Sequence, residues 1–356
     1  MRLRPPWLLL LLLVPWLALG ASNPWACGQP PSPPSCLDSA TSVQVVAGGT
    51  RSVSFGVAGR AADGTGGTWS GLLSDALTLT GPEHACWVGG TIDGPAVPDS
   101  EIYYECSSTH GYTGGPCFAY HTTAGIAPDD PAGHVIEDVA VGGYGDGLSI
   151  PPSGDAGDVL GRRLYLHDLH DDALESDWAQ QSLGCEDCLF ERVFMGLAYN
   201  RRSSASGNTP RPGVTMTLRD SLVQLHRFVH SYKEKSGHGG IFKDDDGFAP
   251  DFIVTRNTFL MGPVAGSGQV QFPMLGHVRE CEGNVLLWQG TESAFDSMLA
   301  TGSAFDGATN GERLAALAHC YEVRVKPAGQ SAADFRAEHW DPLVSAWKAA
   351  HAAGGS

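Results

Sequence analysis

Between Cys86 and Trp288 the chain alternates apolar and polar residues over short runs, and these runs lack the three- and four-residue apolar spacing of an amphipathic helix. One pattern recurs there: an apolar residue, a variable one, an acidic residue or Asn, then a β-former. It appears as Ile136-Glu137-Asp138-Val139, Leu166-His167-Asp168-Leu169, Leu189-Phe190-Glu191-Arg192-Val193, Leu218-Arg219-Asp220-Ser221-Leu222, Val254-Thr255-Arg256-Asn257-Thr258-Phe259 and Glu282-Gly283-Asn284-Val285-Leu286. The polar markers Asp138, Asp168, Glu191, Asp220, Asn257 and Asn284 are separated by 30, 23, 29, 37 and 27 residues. That is about the length of one coil of a parallel β-helix, with the longer intervals holding outgrown loops. The runs are too short and too evenly repeated for βαβ units.

A second strand aligns within the same coils: 146–150, 172–176, 195–199 and 240–244. Strand side chains alternate sides, so Leu148, Leu174, Leu197 and Phe242 form an inward column, and Ser149, Glu175, Ala198 and Lys243 the outward column beside it. With coils ~4.8 Å apart, Glu175 and Lys243 are expected ~10 Å apart across Ala198, as opposite banks of a cleft. This requires residues 200–237 to add one rung at this face.

The ends read differently. Residues 1–20 carry Arg2 and Arg4, an apolar run from Trp7 to Leu17 and small residues at the end, the pattern of a signal peptide. The run is broken by Pro15 and is shorter than the ~20 residues of a membrane span, so no membrane insertion is expected and the chain reads as secreted. Residues 21–85 read as a Pro/Ser-rich tether and N-terminal β cap, 86–290 as the β-helix and 291–356 as a C-terminal cap. In the last segment, Asp341-Pro342 starts a short helix with Leu343, Val344 and Trp347 on one side. The fold class expected is all-β, a right-handed parallel β-helix with these caps.

With 46 Gly and 23 Pro against 17% charged residues, composition favours a turn-rich β architecture over a helical bundle. Without residues 1–20, Lys+Arg falls from 22 to 20 against 39 Asp+Glu, a formal charge of 20 − 39 = −19. That excess argues against nucleic acid as a partner. It would also repel an anionic polysaccharide unless a cation such as Ca²⁺ lay between. All nine Cys lie beyond the signal and are expected to pair in an oxidising compartment, leaving an odd thiol. The pairs expected are Cys27–Cys36, Cys185–Cys188 and Cys281–Cys320, with Cys86, Cys106 and Cys117 sharing one more bond.

The ordered landmarks Asp171-Asp172-Ala173-Leu174-Glu175-Ser176-Asp177, Asp187-Cys188-Leu189-Phe190, 237–245 and Arg256-Asn257-Thr258-Phe259 resemble those of secreted right-handed β-helix proteins of the pectin-lyase-like assembly. The assembly includes pectate and alginate lyases and polygalacturonases. The resemblance spans roughly residues 86–350 and implies the fold and a polysaccharide partner; chemistry has to be argued from the site.

A Ca²⁺-assisted polysaccharide lyase is the leading expectation, with a non-catalytic binding protein and a polygalacturonase-like hydrolase as its alternatives. A Ca²⁺-assisted lyase acting on uronate polymers would use Asp172, Glu175 and Asp177 as metal ligands, with Lys243, Arg201 or Arg202 as base or carboxylate clamp. Lys243 could be the base only with its pKa well below ~10.4. A polygalacturonase-like glycoside hydrolase would use Asp171-Asp172 and His238 of Gly237-His238-Gly239, with Asp146 one coil earlier. The third possibility is a non-catalytic polysaccharide-binding or adhesion protein. The bland readings stand beside these: Asp runs in turns accept backbone N–H bonds, and Lys243 beside Asp244, Asp245 and Asp246 can be a solvated ion pair. His226, His230 and His238 offer a zinc set without a zinc-hydrolase motif, and Trp69, Trp87, Trp178 and Trp288 suit either sugar stacking or a core.

Overall fold

A computed structural model describes residues 34–351 apart from 41, 50–51, 55–59, 71–74, 82, 122, 130–131, 152–156, 179, 200–210, 231–232, 234–238, 245–249, 263–276 and 302–309. Residues 1–20, Cys27, Arg201, Arg202 and His238 therefore lie outside the described residues. The short β-forming runs assemble into two long sheets in which every pairing between neighbouring strands is parallel. From Gly157 to Leu225 successive strands alternate between the two sheets, an organisation consistent with a parallel β-helix. Pairing begins at Ser42–Val45 and continues to Tyr321–Val325, so coils extend to both sides of the 86–290 interval. Among the described residues, no helix is long and apolar enough to cross a membrane.

One corner of each coil is a single residue in the left-handed region, connecting the first sheet to the second: Asp138, Arg163, Asp187, Asp220, Arg256 and Gly283, with φ between 51° and 66°. Asp tolerates this backbone through its short polar side chain. The arginines are held by their neighbours in the stack, Arg163 Nε donating to Asp138 at 2.7 Å and Arg256 Nε to Asp220 at 2.7 Å. Of the repeated polar markers, only Asp138 and Asp220 occupy this corner. Asn257 and Asn284 follow it and form an internal ladder: Ser221 N donates to Asn257 Oδ1 at 2.9 Å, and Asn257 N to Asn284 Oδ1 at 3.0 Å. Asp168 and Glu191 lie several residues further along their strands, so the unequal sequence intervals partly reflect non-equivalent positions.

The core fills the space between the sheets, with Trp69, Trp87, Trp178 and Trp288 all buried in it. Packed this way, they present no open face for a sugar ring. Four disulfides are formed, Cys36–Cys86, Cys106–Cys117, Cys185–Cys188 and Cys281–Cys320, which indicate an oxidising environment. Cys36 thus pairs with Cys86 and not with Cys27. The reason is geometric: the turn Cys36–Ser39 lies against Cys86–Val88, placing the two Cα atoms 5.8 Å apart, within disulfide reach.

Candidate functional site

The face of interest is built by Asp146–Ile150, Tyr165–Ser176, Leu189–Tyr199 and Phe242–Asp244. Their register stacks Leu148, Leu174, Leu197 and Phe242, each at most 1% exposed, and beside them Ser149, Glu175, Ala198 and Lys243. Ala198 pairs directly with Lys243, so one rung separates Glu175 from Lys243, as the alternation predicts. The second column is nevertheless not an open cleft floor, because Glu175 and Lys243 are both buried. Ser149 Oγ donates to Glu175 Oε2 at 2.9 Å, and Lys243 Nζ donates to Asp172 Oδ2 at 3.1 Å. Lys243 is thus engaged as a cation with Asp172, a different arrangement from a base facing Glu175 across a cleft.

A β-bulge immediately precedes Asp172. Leu169 pairs with Val193 and Asp172 with Met195, so strand Tyr165–Ser176 contains one residue more than its partner across this interval. His170 and Asp171 together oppose Phe194, and a bulge of this kind re-aims the side chains that flank it. Asp171 and Asp172 converge here on Asp146 from the preceding coil. One oxygen from each lies within 4.8 Å of the other two. Asp146 Oδ1 accepts the backbone N–H of Asp172 at 3.1 Å, whereas Asp171 Oδ1 is buried with no hydrogen-bond partner.

Burial first, then the negative charges of Glu175, Asp171 and Asp172, push the Asp146 carboxyl well above the usual carboxylate range. Burial and then Asp172 push Asp171 up likewise, with Lys243 opposing. Asp146 and Asp171 retain 7% and 6% exposure while Asp172 retains none. His170, beside the bulge, is pulled down to about 3 by burial and is neutral near pH 7. It packs between Phe228, 4.1 Å away, and Tyr120, 5.4 Å away.

The set Asp172, Glu175 and Asp177 does not converge. Asp177 follows the end of the strand, about 16 Å along from Asp172 by strand rise, whereas oxygens on one Ca²⁺ lie within about 5 Å of each other. Among the described residues, Asp146, Asp171 and Asp172 form the group with metal-ligand spacing, and neither His226 nor His230 joins it. His226 packs edge-on to Phe228 at 4.9 Å and His230 stacks on Tyr103 at 3.9 Å. Sequence pattern pointed to the pair Asp171-Asp172 and, through its place one coil earlier, to Asp146. Its strict alternation did not anticipate the bulge that turns Asp171 into the group. No protein-family model, curated protein or solved structure matches the chain.

Proposed function

We propose that the protein is a secreted glycoside hydrolase built on a right-handed parallel β-helix of the pectin-lyase-like type, acting on a polysaccharide through Asp171 and Asp172. The right-handed path follows from the strong preference of parallel crossover connections for that hand. One arrangement carries the chemistry: of two adjacent carboxyls in one buried group, Asp172 is paired with Lys243 at 3.1 Å and Asp171 Oδ1 is buried without a hydrogen-bond partner. Asp171 is pushed toward the neutral acid, and Asp172 is held against the Lys243 ammonium. Such a split is what assigns acid and base among paired carboxyls.

In this reading Asp171 gives its proton to the glycosidic oxygen as the bond to the anomeric carbon breaks. Asp172, kept ionised by Lys243, takes a proton from the water whose oxygen adds to that carbon, and Asp146 helps orient the water. The products are two saccharides, one with a new reducing end, and no double bond forms. β-Elimination would need a base in place of the acid, and Lys243 is already committed as a donor to Asp172.

The test is incubation with uronate and neutral polysaccharides, following reducing ends and the absorbance of unsaturated products in parallel, with and without EDTA. New reducing ends without unsaturated products, insensitive to EDTA and reduced by about 10²–10⁴-fold in Asp171→Asn and in Asp172→Asn, support the reading. Unsaturated products that require Ca²⁺ would overturn it in favour of a lyase using the same three carboxylates as ligands. Retention of a polysaccharide without any cleavage would overturn it in favour of a binding protein.

A further inference from the structure

The two ends of the stack are finished differently. At the C-terminal end, helices Glu292–Thr301 and Asn310–Cys320 close the interior. Phe295 packs on Trp288 at 5.4 Å, Met298, Leu299 and Leu317 join the core, and the second helix lies against Val278–Glu282 and Tyr321–Val325. At the other end the sheets begin with Ser42–Val45, Ser52–Ser54 and Thr68–Ser70. Among the described residues, each of these three strands is paired on one side only. Every residue of Ser42–Val45 is exposed, Val43 at 50% and Val45 at 80%. Val229 is the one other large apolar side chain left exposed among the described residues, so this edge holds two of the three.

None of the three strands carries a charge or a proline, the features that keep exposed strand edges apart. Such an edge pairs with another strand, and its chemistry selects which one. The chain just before Ser35 is a poor occupant, because Pro30, Pro31, Pro33 and Pro34 lack the N–H groups that a neighbouring strand must donate. A charged partner finds no counter-charge on these strands. A second copy fits on both counts. With a net charge of −17, two copies repel each other over most of their surfaces and meet at least cost where charge is absent. Because helices close the opposite end, open end meets open end about a two-fold axis, and the contact closes after two copies instead of growing into a filament. With the strands antiparallel and centred on Gln44, Val43 of each copy lies opposite Val45 of the other, which joins four exposed valines in one apolar patch. The end of one coil is small, so the contact falls at the low end of interface sizes and the association is weak.

We infer that the N-terminal end of the stack is a homodimer interface, formed by antiparallel pairing of Ser42–Val45 between two copies of the chain. The interface goes beyond the hydrolase reading and does not depend on it. Sedimentation velocity over about 1–500 μM protein tests it, with amide exchange at 42–45 measured at both ends of that range. The wild type is expected to pass from monomer to dimer, and exchange at 42–45 to slow as it does so. Val43→Lys combined with Val45→Lys is expected to stay monomeric throughout, as is Val43→Glu combined with Val45→Glu. An equimolar mixture of the two double variants should regain the dimer, because each Lys then lies opposite a Glu. Should a double variant lose its fold, Val45→Lys alone, at the most exposed position, is expected to weaken dimerisation at least about tenfold by setting an ammonium in the apolar patch. A wild type that stays monomeric, species that grow beyond the dimer, unchanged association in the Lys variants, or a mixture that stays monomeric would each overturn the assignment. Slow exchange at 42–45 that is independent of concentration would place another segment of the same chain on this edge and overturn it too.

Discussion

Lys243 and Asp172 show what a residue count along a strand can and cannot foresee. Alternation placed Lys243 beside Ala198, and the register agrees, but it did not foresee that the Lys243 ammonium pairs with Asp172 instead of facing Glu175. An exposed lysine could be removed at little cost; this one is 5% exposed and paired to a carboxylate with no exposure at all. Lys243→Met is therefore expected to destabilise the fold by about 3–5 kcal/mol, because Asp172 is left as a lone buried charge, while adding Asp172→Leu should restore most of the loss. Urea melts of the single and double variants check this. The raised carboxyls predict a pH dependence of definite sign. Asp146 and Asp171 bind protons more tightly folded than unfolded, so their contribution is most favourable below the unfolded value of ~3.9 and declines as pH rises toward their folded values. The stability of wild type relative to Asp171→Asn should accordingly fall as pH is raised from 4 to 7 in paired denaturant titrations; a rise would reverse the assigned direction.

The bulge, the left-handed corner and the C-terminal helix are the elements that determine where groups meet. The apolar column and the helix start at Asp341-Pro342 were legible because both depend on spacing alone; helix Asp341–His351 buries Val344 and Trp347 as the stripe implied. The corner was only partly legible, since a left-handed position here accepts Asp, Arg or Gly and leaves no single residue type to align. Its neighbour Asn257 was legible as a marker but not as a hub. That side chain accepts from Ser221 N and donates to Leu218 O at 2.8 Å and Asn284 Oδ1 at 3.0 Å. Asn257→Ala should cost at least 1–3 kcal/mol by orphaning these buried groups, measured by thermal or urea unfolding. The helix itself is docked by Trp347 Nε1 on Asp187 Oδ1 at 3.0 Å, His351 on Asp187 Oδ2 at 2.9 Å and Lys348 on Glu191 at 2.7 Å. Burial lowers the His351 pKa, but the hydrogen bonds that its ring donates to Asp187 and to the Trp347 carbonyl outweigh it and raise the value above 6.5, with Arg163 opposing. This contribution is complete below pH 6.5 and is lost as pH rises through the folded value. Amide exchange in 341–351, corrected for its intrinsic pH dependence, should quicken from pH 6 to 9 in the wild type and not in His351→Gln.

Across the whole molecule each coil touches chiefly the coils before and after it, so stability is distributed along a stack and local damage stays local. Cys36–Cys86 ties the turn at 36–39 to the third strand of the first sheet, two coils before the one that carries Asp171. Replacing both with Ser should speed amide exchange in 42–45 and 60–63 while leaving the proposed polysaccharide cleavage within about twofold; equal loosening around 171–176 would mean that the stack unfolds as one unit. The repeat and the pairs Cys185–Cys188 and Cys281–Cys320 were legible in the sequence, whereas Cys36–Cys86, 50 residues apart, was not, because Cys27 lies nearer to Cys36 along the chain. The corner carries one last consequence, for editing the gene. Arg256 and Gly283 end equivalent turns, and Asn257 and Asn284, 27 residues apart, follow them on one ladder. Excising 257–283 would splice Arg256 directly to Asn284, whose Oδ1 could then accept Ser221 N in place of Asn257. With Cys320→Ser to remove the thiol stranded by the loss of Cys281, the shortened chain should fold one storey lower, and the corners mark where such a protein can be cut and rejoined.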